Sequence, residues 1–279
     1  MSTQRKRLQH LESKKNTTLL EIPQDFVKFN ELIGLPRHPH TREPTQLMAC
    51  QINFFKSIDN TDYRKFHLNK SRQAGWTECI LRILAFRCFN KYAGGKIVIL
   101  AGTREKTTKK IMYRFRDLFR KIPQSIKKAS DSLIVELTNG TVIEGLPASP
   151  EAITGDTKIN CIFMDEAAKW NLQDDQPVMN AIMPIVDINK SDLFMISTPK
   201  GPRGFFYNID MDDNDFLKFK SDIWEAVDQI YTNEEARVML EDRITDVDQE
   251  YLNKYTTGRD SIWGEVTDVH RTDEEEMEL

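Results

Sequence analysis

The sequence lacks several features that would assign it quickly to a class of protein. No apolar run approaches the length of a membrane span, and the first residues contain no apolar segment of the kind found in signal peptides. Only four cysteines occur in 279 residues, and they are scattered along the chain. These absences argue against a membrane protein and a disulfide framework, so we expect a soluble intracellular protein with reduced, mostly buried thiols.

The sequence also offers little for a structural metal site or for nucleic-acid binding by overall charge. His38 and His40 form a closely spaced pair, but flanking prolines favour a loop. The formal net charge is −4. Its distribution is more informative, because basic residues gather at the N-terminus and within residues 104–128, whereas residues 273–278 form an acidic tail.

What the sequence does contain is a polar turn, KSRQAGWTE, at residues 70–78. It lies between a short β-like run at 66–69 and an apolar helical run at 79–89. Such a turn cradles phosphate when its backbone N–H groups and the helix N-terminus point at one anion. Gly75 would let the backbone approach a phosphate, and Thr77 would offer a hydroxyl to Mg²⁺.

The turn departs from the standard phosphate-loop pattern G-x-x-x-x-G-K-[ST]. Lys70 stands at the first glycine position, and Trp76 stands at the lysine position. Because the stem of lysine is long, an ammonium at the front of the loop can still reach the β- and γ-phosphates. We therefore assign Lys70 as the phosphate lysine. Taken alone, this stretch is equally consistent with an ordinary strand-to-helix turn that binds no phosphate.

A second stretch, CIFMDE at residues 161–166, favours the nucleotide interpretation. Its apolar run is typical of a buried parallel strand, and its two carboxylates would stand at the strand end where α/β sheets bind ligands. Asp165 would hold the water shell of Mg²⁺, and Glu166 would polarise an attacking water.

The remaining patterns predict a doubly wound α/β domain. Apolar periodicity predicts helices over residues 21–35, 44–55, 78–91 and 105–121. Apolar runs predict strands over residues 96–103, 192–197 and 216–220. The Asn139-Gly140 pair predicts a hairpin with a type I′ turn, and further helices are expected near residues 233–242 and 246–255.

The motifs KSRQAGWTE, CIFMDEAA and MISTPKG, in this order, resemble the ATPase domain of the large terminase subunit, the viral motor that packages DNA into procapsids. The resemblance covers roughly residues 41–260. This family often has a deviant phosphate loop with its lysine at the front, as Lys70 has here. The resemblance implies an α/β, three-layer RecA-like P-loop NTPase fold, with a mainly parallel sheet, helices on both faces and a small C-terminal subdomain.

The resemblance also implies a domain organisation. We predict an N-terminal arm and small helix in residues 1–40, a P-loop ATPase core in residues 41–210, and a small linker or lid subdomain with an acidic tail in residues 211–279. Full-length relatives continue into a nuclease domain of the RNase H type. We expect neither that domain nor nuclease activity here, because the remaining residues leave no room for it.

The reaction that the resemblance implies is hydrolysis of the β–γ bond of ATP with Mg²⁺. The implied nucleotide-binding residues are Gln46, Lys70, Ser71, Arg72, Gln73, Ala74, Gly75, Trp76, Thr77 and Glu78. Thr77 and Asp165 would hold Mg²⁺. Glu166 and Arg72 would be catalytic, the first by orienting water and the second by placing positive charge near the γ-phosphate.

Further roles follow from the resemblance, each with a plainer alternative. Gln46 would read the adenine edge, since an amide both donates and accepts, or it is a solvated helix residue. Ser197, Thr198 and Pro199 would sense the γ-phosphate and couple its loss to the next segment, or they form a strand-ending turn.

The identity of the arginine that would stabilise charge at the γ-phosphate is left open. Relatives commonly carry an arginine where this chain has Thr154. Arg72, Arg203 or an arginine from a neighbouring subunit would then supply the charge.

The implied function is ATP-driven translocation of double-stranded DNA into a procapsid in the host cell cytoplasm. The implied partners are double-stranded DNA, the portal protein, the small terminase subunit and further copies of the chain in a ring, with no membrane. Basic residues of the predicted helix 105–121 would track DNA phosphates, or form a solvated face: Lys106, Lys109, Lys110, Arg116 and Arg120.

Two other functions stay open. One is a helicase-like or repair ATPase, which would need a second motor domain. The other is a non-hydrolysing nucleic-acid-binding or assembly protein with a degenerate nucleotide pocket.

Overall fold

One mixed sheet forms the centre of the molecule. A computed structural model describes residues 21–38, 41–102, 105–128, 132–153, 158–170, 175–242 and 244–257. Its strands are β1 (Lys65–Lys70), β2 (Lys96–Leu100), β3 (Ile126–Lys128), β4 (Ile134–Leu137), β5 (Val142–Leu146), β6 (Ile159–Asp165), β7 (Asp192–Ser197) and β8 (Phe216–Ser221). They lie in the order β3-β4-β5-β2-β6-β7-β1-β8. Pairing is parallel from β5 to β8 in this order, whereas β4 pairs antiparallel with β3 and β5.

Helices cover both faces of the sheet. They are α1 (Phe26–Ile33), α2 (Ala49–Asp59), α3 (Trp76–Arg87), α4 (Glu105–Asp117), α5 (Pro150–Ile153), α6 (Asp175–Asn189), α7 (Gly204–Met211), α8 (Asn233–Leu240) and α9 (Val247–Glu250). Helices α1 to α4 share one buried core with Phe163, and α6 and α7 share a second with Ile162. Successive residues of a strand point to opposite faces of the sheet, so the neighbours Ile162 and Phe163 of β6 lie in different cores. The predicted three-layer fold is confirmed.

Three neighbouring parallel strands end at the same edge of the sheet. Strand β7 lies between β1 and β6, so Lys70, Ser197 and Asp165 end adjacent strands. Helix α3 follows β1, and its N-terminus therefore lies at this edge as well. The crevice outside such strand ends is where doubly wound sheets bind ligands.

The helix predicted to start at Pro44 starts only at Ala49. The N–H of Met48 donates to Oε1 of Gln51 at 3.0 Å, and this contact caps the helix start. Pro44 instead forms an isolated β-bridge. Gln46 therefore lies ahead of α2 rather than inside it, and it is exposed.

The predicted hairpin is present, but its turn is not of type I′. Gly140 has a positive φ of 88° and Asn139 does not, whereas a type I′ turn needs two such residues. The N–H of Leu137 donates to the carbonyl of Thr141, and the N–H of Gly140 donates to the carbonyl of Leu137. The loop thus has three residues, with glycine in the left-handed position.

Part of the segment assigned to a C-terminal subdomain belongs to the main sheet. The predicted edge strand is β8, which pairs in parallel with β1. The helix predicted over residues 246–255 is shorter, because α9 ends at Glu250. A division of the chain at residue 210 stays a prediction, although β8 joins the two parts in one sheet.

Several predictions fall outside the described ranges. They concern the arm in residues 1–20, His40, Arg104, Thr154 and the acidic tail. In the ranges that are described, no helix has the length and apolar character needed to cross a bilayer. All four cysteines are free thiols, and three of them are buried, as predicted.

Candidate active site

Lys70 and Glu166 form an ion pair across the ends of β1 and β6. The distance from Nζ of Lys70 to Oε1 of Glu166 is 2.6 Å. Glu166 follows β6 in a left-handed conformation, with φ 52° and ψ 41°, which is costly for a residue with a side chain and is common at functional sites. Its other oxygen lies 3.5 Å from Oγ of Ser197, at the end of β7. The lysine and the carboxylate predicted to share a site are therefore in contact.

The charge environment keeps Glu166 ionised. Burial alone would raise the pKa of Glu166, but the positive charges of Lys70 and Lys169 outweigh burial and hold that pKa below its ordinary value. The ammonium of Lys169 lies 3.8 Å from Oε2 of Glu166. An ionised carboxylate is a hydrogen-bond acceptor only, as a residue that orients water requires.

The pKa of Asp165 is shifted in the opposite direction to that of Glu166. Burial raises its pKa to about 6, and the negative charge of Glu166 adds to the rise. The hydroxyl of Thr77 donates to Oδ1 of Asp165 at 2.9 Å. Two adjacent carboxylates whose pKa values are shifted apart are typical of sites that carry out chemistry.

Thr77 and Asp165 fit a magnesium ion by the chemistry of their donors. Hydroxyl and carboxylate oxygens are the ligands that Mg²⁺ takes, usually one or two from protein with phosphate and water completing the shell. A buried carboxylate with a raised pKa also gains most from a nearby cation. The described residues contain no cluster of three or more His, Cys, Asp or Glu side chains suited to a metal.

The turn between β1 and α3 has the backbone geometry of an anion site. Gly75 precedes the helix with a left-handed φ of 69°, and within the described chain no side chain caps the helix start. The first N–H groups of a helix without a side-chain cap can bind an anion. A side chain at Gly75 would approach Nε2 of Gln51 at 3.5 Å, and that Nε2 donates to the carbonyl of Ala74 at 3.2 Å.

Trp76 directs its side chain away from this site. The indole is buried, its Nε1 donates to Oγ of Ser221 at 2.9 Å, and its ring meets the ring of Phe54 edge-on. The indole therefore packs in the protein core. Only the main chain of Trp76 remains for the nucleotide-binding role assigned to it.

The other loop residues have varied surroundings. Ser71 is buried, and its N–H donates to the carbonyl of Ser221 at 2.7 Å. Gln73 is exposed with a left-handed φ of 59°. Glu78 is bound by two arginines, with its carboxylate oxygens 2.9 Å from Nε of Arg82 and 3.2 Å from Nη2 of Arg114. The charge of Glu78 is thus largely neutralised beside the helix start.

A cleft of about 860 Å³ opens next to the loop. Of the predicted nucleotide-binding residues, it is lined by Gln46, Gln73, Gly75 and Glu78. Arg82, Tyr113 and Arg114 are among its other lining residues. Gln46 therefore lies on the same side of the molecule as the loop, although it is not in the predicted helix.

Arg72 is held by the C-terminal segment and not by the Asp-Glu pair. Its backbone N–H donates to the carbonyl of Glu250 at 2.8 Å, and its Nη1 lies 3.2 Å from Oε2 of the same residue. Oε1 of Glu250 lies 3.4 Å from Nζ of Lys169. Neither Glu250 nor Lys169 is among the residues predicted from the sequence; the position of Lys169, three residues after Glu166, is the one local signal available.

The proposed coupling residues lie beside the acids. Ser197, Thr198 and Pro199 are buried, and Oγ of Ser197 donates to the carbonyl of Thr198 at 2.7 Å. The loop continues to Gly201, whose N–H donates to Oε1 of Gln249 at 2.7 Å. Arg203 is exposed just before α7. The roles of all these residues stay predictions.

Solved structures share this fold at low sequence identity. The large terminase ATPase domain of Thermus phage P74-26 aligns with a TM-score of 0.60 and 18% identity, over 85% of this chain and 100% of that one. The HK97 bacteriophage large terminase aligns with a TM-score of 0.63 and 16% identity, over 82% of this chain and 54% of that one.

A third structure carries a nucleotide analogue. It is the large terminase of a thermophilic bacteriophage in complex with ATP-gamma-S, and it aligns with a TM-score of 0.59 and 11% identity, over 75% of this chain and 53% of that one. The chain thus spans about half the length of this protein and of the HK97 terminase. The comparison with curated proteins finds no match.

These likenesses confirm the RecA-like fold class. The family model described as terminase large subunit, T4-like-virus type, N-terminal, matches residues 67–268, which is more than half of the chain. The chain therefore belongs to this family of terminase large subunits.

Proposed function

We propose that the chain hydrolyses the β–γ bond of ATP and that this hydrolysis drives double-stranded DNA into a viral procapsid. The observation that carries the proposal is the double pairing at the strand ends. Nζ of Lys70 lies 2.6 Å from Glu166, and Oγ1 of Thr77 lies 2.9 Å from Asp165. One cation, two acids and a hydroxyl beside an open helix start are the parts that phosphoryl transfer to water needs.

The first step assigned to these residues is a change of partner. Nucleotide phosphates would take Lys70 from Glu166, and the N–H groups at the start of α3 would hold the same phosphates. Glu166 would then be free to accept a hydrogen bond from water and align it with the γ-phosphorus. Before nucleotide binds, the positive charges of Lys70 and Lys169 hold the pKa of Glu166 below its ordinary value, so the residue enters this step ionised.

Thr77 and Asp165 would hold Mg²⁺ in this scheme. Bound Mg²⁺ would offset the charge that develops on the phosphate oxygens. Gln46 would bind the adenine edge from the cleft beside the loop. Arg72 would add positive charge near the γ-phosphate, with Arg203 or an arginine of a neighbouring copy as the other sources.

The link to DNA is assigned to two further features. Ser197, Thr198 and Pro199 would pass the loss of the γ-phosphate to the next segment. The exposed basic side chains of α4, among them Lys106 and Lys110, would contact DNA phosphates without regard to sequence. The portal protein, the small terminase subunit and further copies of the chain in a ring complete the proposed machine, which would work in the host cell cytoplasm.

Glu166→Gln tests the proposal. It keeps the shape of the side chain but removes the charge, so we expect ATP turnover to fall by about two orders of magnitude or more while nucleotide binding persists. Glu234→Gln, in the exposed first turn of α8, removes the same charge far from the loop and is the matched control. Turnover at the parental rate in Glu166→Gln would refute the role of this residue.

Two assays separate the alternative functions. DNA-stimulated turnover by the parent chain would exclude the non-hydrolysing protein with a degenerate pocket. Co-sedimentation with a portal ring would favour packaging over a helicase-like or repair ATPase. Absence of turnover with and without DNA would refute hydrolysis by this chain.

A further inference from the structure

Helix α9 lies against all three loops that carry the candidate site. The carbonyl of Glu250 accepts the N–H of Arg72 in the phosphate loop at 2.8 Å. Its carboxylate lies 3.4 Å from Nζ of Lys169, which follows β6. Oε1 of Gln249 accepts the N–H of Gly201, in the loop after β7, at 2.7 Å. One turn of helix therefore joins the loops after β1, β6 and β7.

The carboxylate of Glu250 is poorly solvated and imperfectly bonded. Its side chain is 13% exposed. Oε2 lies 3.2 Å from Nη1 of Arg72, yet in the described part of the molecule this buried oxygen has no well-aligned hydrogen bond. A buried carboxylate oxygen held by charge more than by aligned donors is easily outcompeted by a better anion.

The two cations bound by Glu250 lie around the candidate phosphate site. Arg72 belongs to the loop itself, and Lys169 also lies 3.8 Å from Glu166. Lys70 is likewise paired with Glu166. Each of these three cations therefore has a carboxylate as its counter-ion. A terminal phosphate carries more charge than a carboxylate and presents three oxygens, so it is the stronger partner for an arginine and a lysine.

We propose that Glu250 is a charge latch. Its carboxylate substitutes for the γ-phosphate as the counter-ion of Arg72 and Lys169, and a bound nucleoside triphosphate takes these two cations and releases it. The inference rests on the proposed function. Release of Glu250 loosens α9, and the contact between Gln249 and Gly201 transmits that change to the loop after β7. A diphosphate lacks the γ-phosphate and leaves the latch closed.

Nucleotide affinity is the direct test. Glu250→Gln removes the competing charge, so binding of Mg²⁺-ATPγS, measured by calorimetry, tightens by roughly three- to tenfold, while binding of Mg²⁺-ADP changes much less. Asp248→Asn is the matched control on the same helix. Asp248 is 51% exposed and pairs with Lys254 at 2.8 Å, away from Arg72, and its variant keeps the parental affinities.

A second measurement uses the parent chain alone. Mg²⁺-ATPγS increases amide hydrogen exchange in residues 247–252, whereas Mg²⁺-ADP does not. This exchange measurement tests the latch by itself if Glu250→Gln fails to fold.

The failures are distinguishable. If the parent binds both nucleotides, and Glu250→Gln keeps the parental preference or weakens ATPγS binding, the latch is overturned and the proposed function stands. Unchanged exchange in residues 247–252 with ATPγS also overturns the latch. A parent that binds neither nucleotide overturns the proposed function and the latch with it.

Discussion

Asp165→Asn should stabilise the nucleotide-free protein at neutral pH. Asp165 is ionised at pH 7.5 in a partly buried position next to Glu166, and both burial and the neighbouring charge disfavour that state. Asparagine keeps the shape and an oxygen that accepts from Thr77. The substitution therefore removes an electrostatic cost without opening a cavity.

The expected gain in stability can be calculated from the pKa of Asp165. Folding raises it from 3.8 to about 6, and one pKa unit corresponds to about 1.4 kcal/mol. The upper limit of the gain is then about 3 kcal/mol at pH 7.5, or a rise in Tm of about 5–10 °C. Because the folded-state pKa is raised, the cost is absent below about pH 4, grows as pH increases, and is complete above about pH 6. The gain should fall to about half at pH 5.

Thermal unfolding of the parent and of Asp165→Asn at pH 5 and pH 7.5 measures this gain in stability. Asp213→Asn, which removes the same charge from an exposed loop, is the control and should leave the Tm nearly unchanged. Mg²⁺-ATPγS should raise the Tm of the parent but not that of Asp165→Asn. A variant no more stable than the parent at pH 7.5, or equally stabilised at both pH values, would refute the electrostatic argument.

Lys70→Ala should weaken Mg²⁺-ATPγS binding by about 10- to 100-fold, the value of a charged hydrogen bond, and parental affinity by calorimetry would exclude the front-of-loop lysine. Trp76→Lys should lower the free energy of unfolding by about 3 kcal/mol or more, because it buries an ammonium in place of a packed indole, and it should not rescue Lys70→Ala; a rescued double variant would contradict this. The double change of Lys106 and Lys110 to Gln should weaken DNA binding and reduce its salt slope by about 2, while an unchanged slope would place DNA elsewhere.

The parts of the site that are local in sequence could be predicted from it. The polar turn at residues 70–78 lies between a strand and a helix with clear apolar patterns, and the Asp-Glu pair follows an unbroken apolar run. Both patterns report burial, which is the property that decides element type and the edge at which strands end. Contact between Lys70 and Glu166 then follows once β7 alone separates their strands.

The parts that depend on distant residues could not be predicted. The burial of Trp76 is decided by Phe54 and Ser221, on elements that precede and follow the loop. The late start of α2 depends on the side chain of Gln51, which caps the chain and also contacts the phosphate loop. Glu250 has no local signature at all, because its partners are brought to it by the order of the strands.

A structure of the chain with Mg²⁺-ATPγS is the most direct test of the proposed site. We expect Nζ of Lys70 within hydrogen-bond distance of the β- or γ-phosphate, the ion held by Thr77 and Asp165, and the indole of Trp76 still buried. A structure with nucleotide bound and Lys70 still paired to Glu166, away from every phosphate oxygen, would contradict the proposed site.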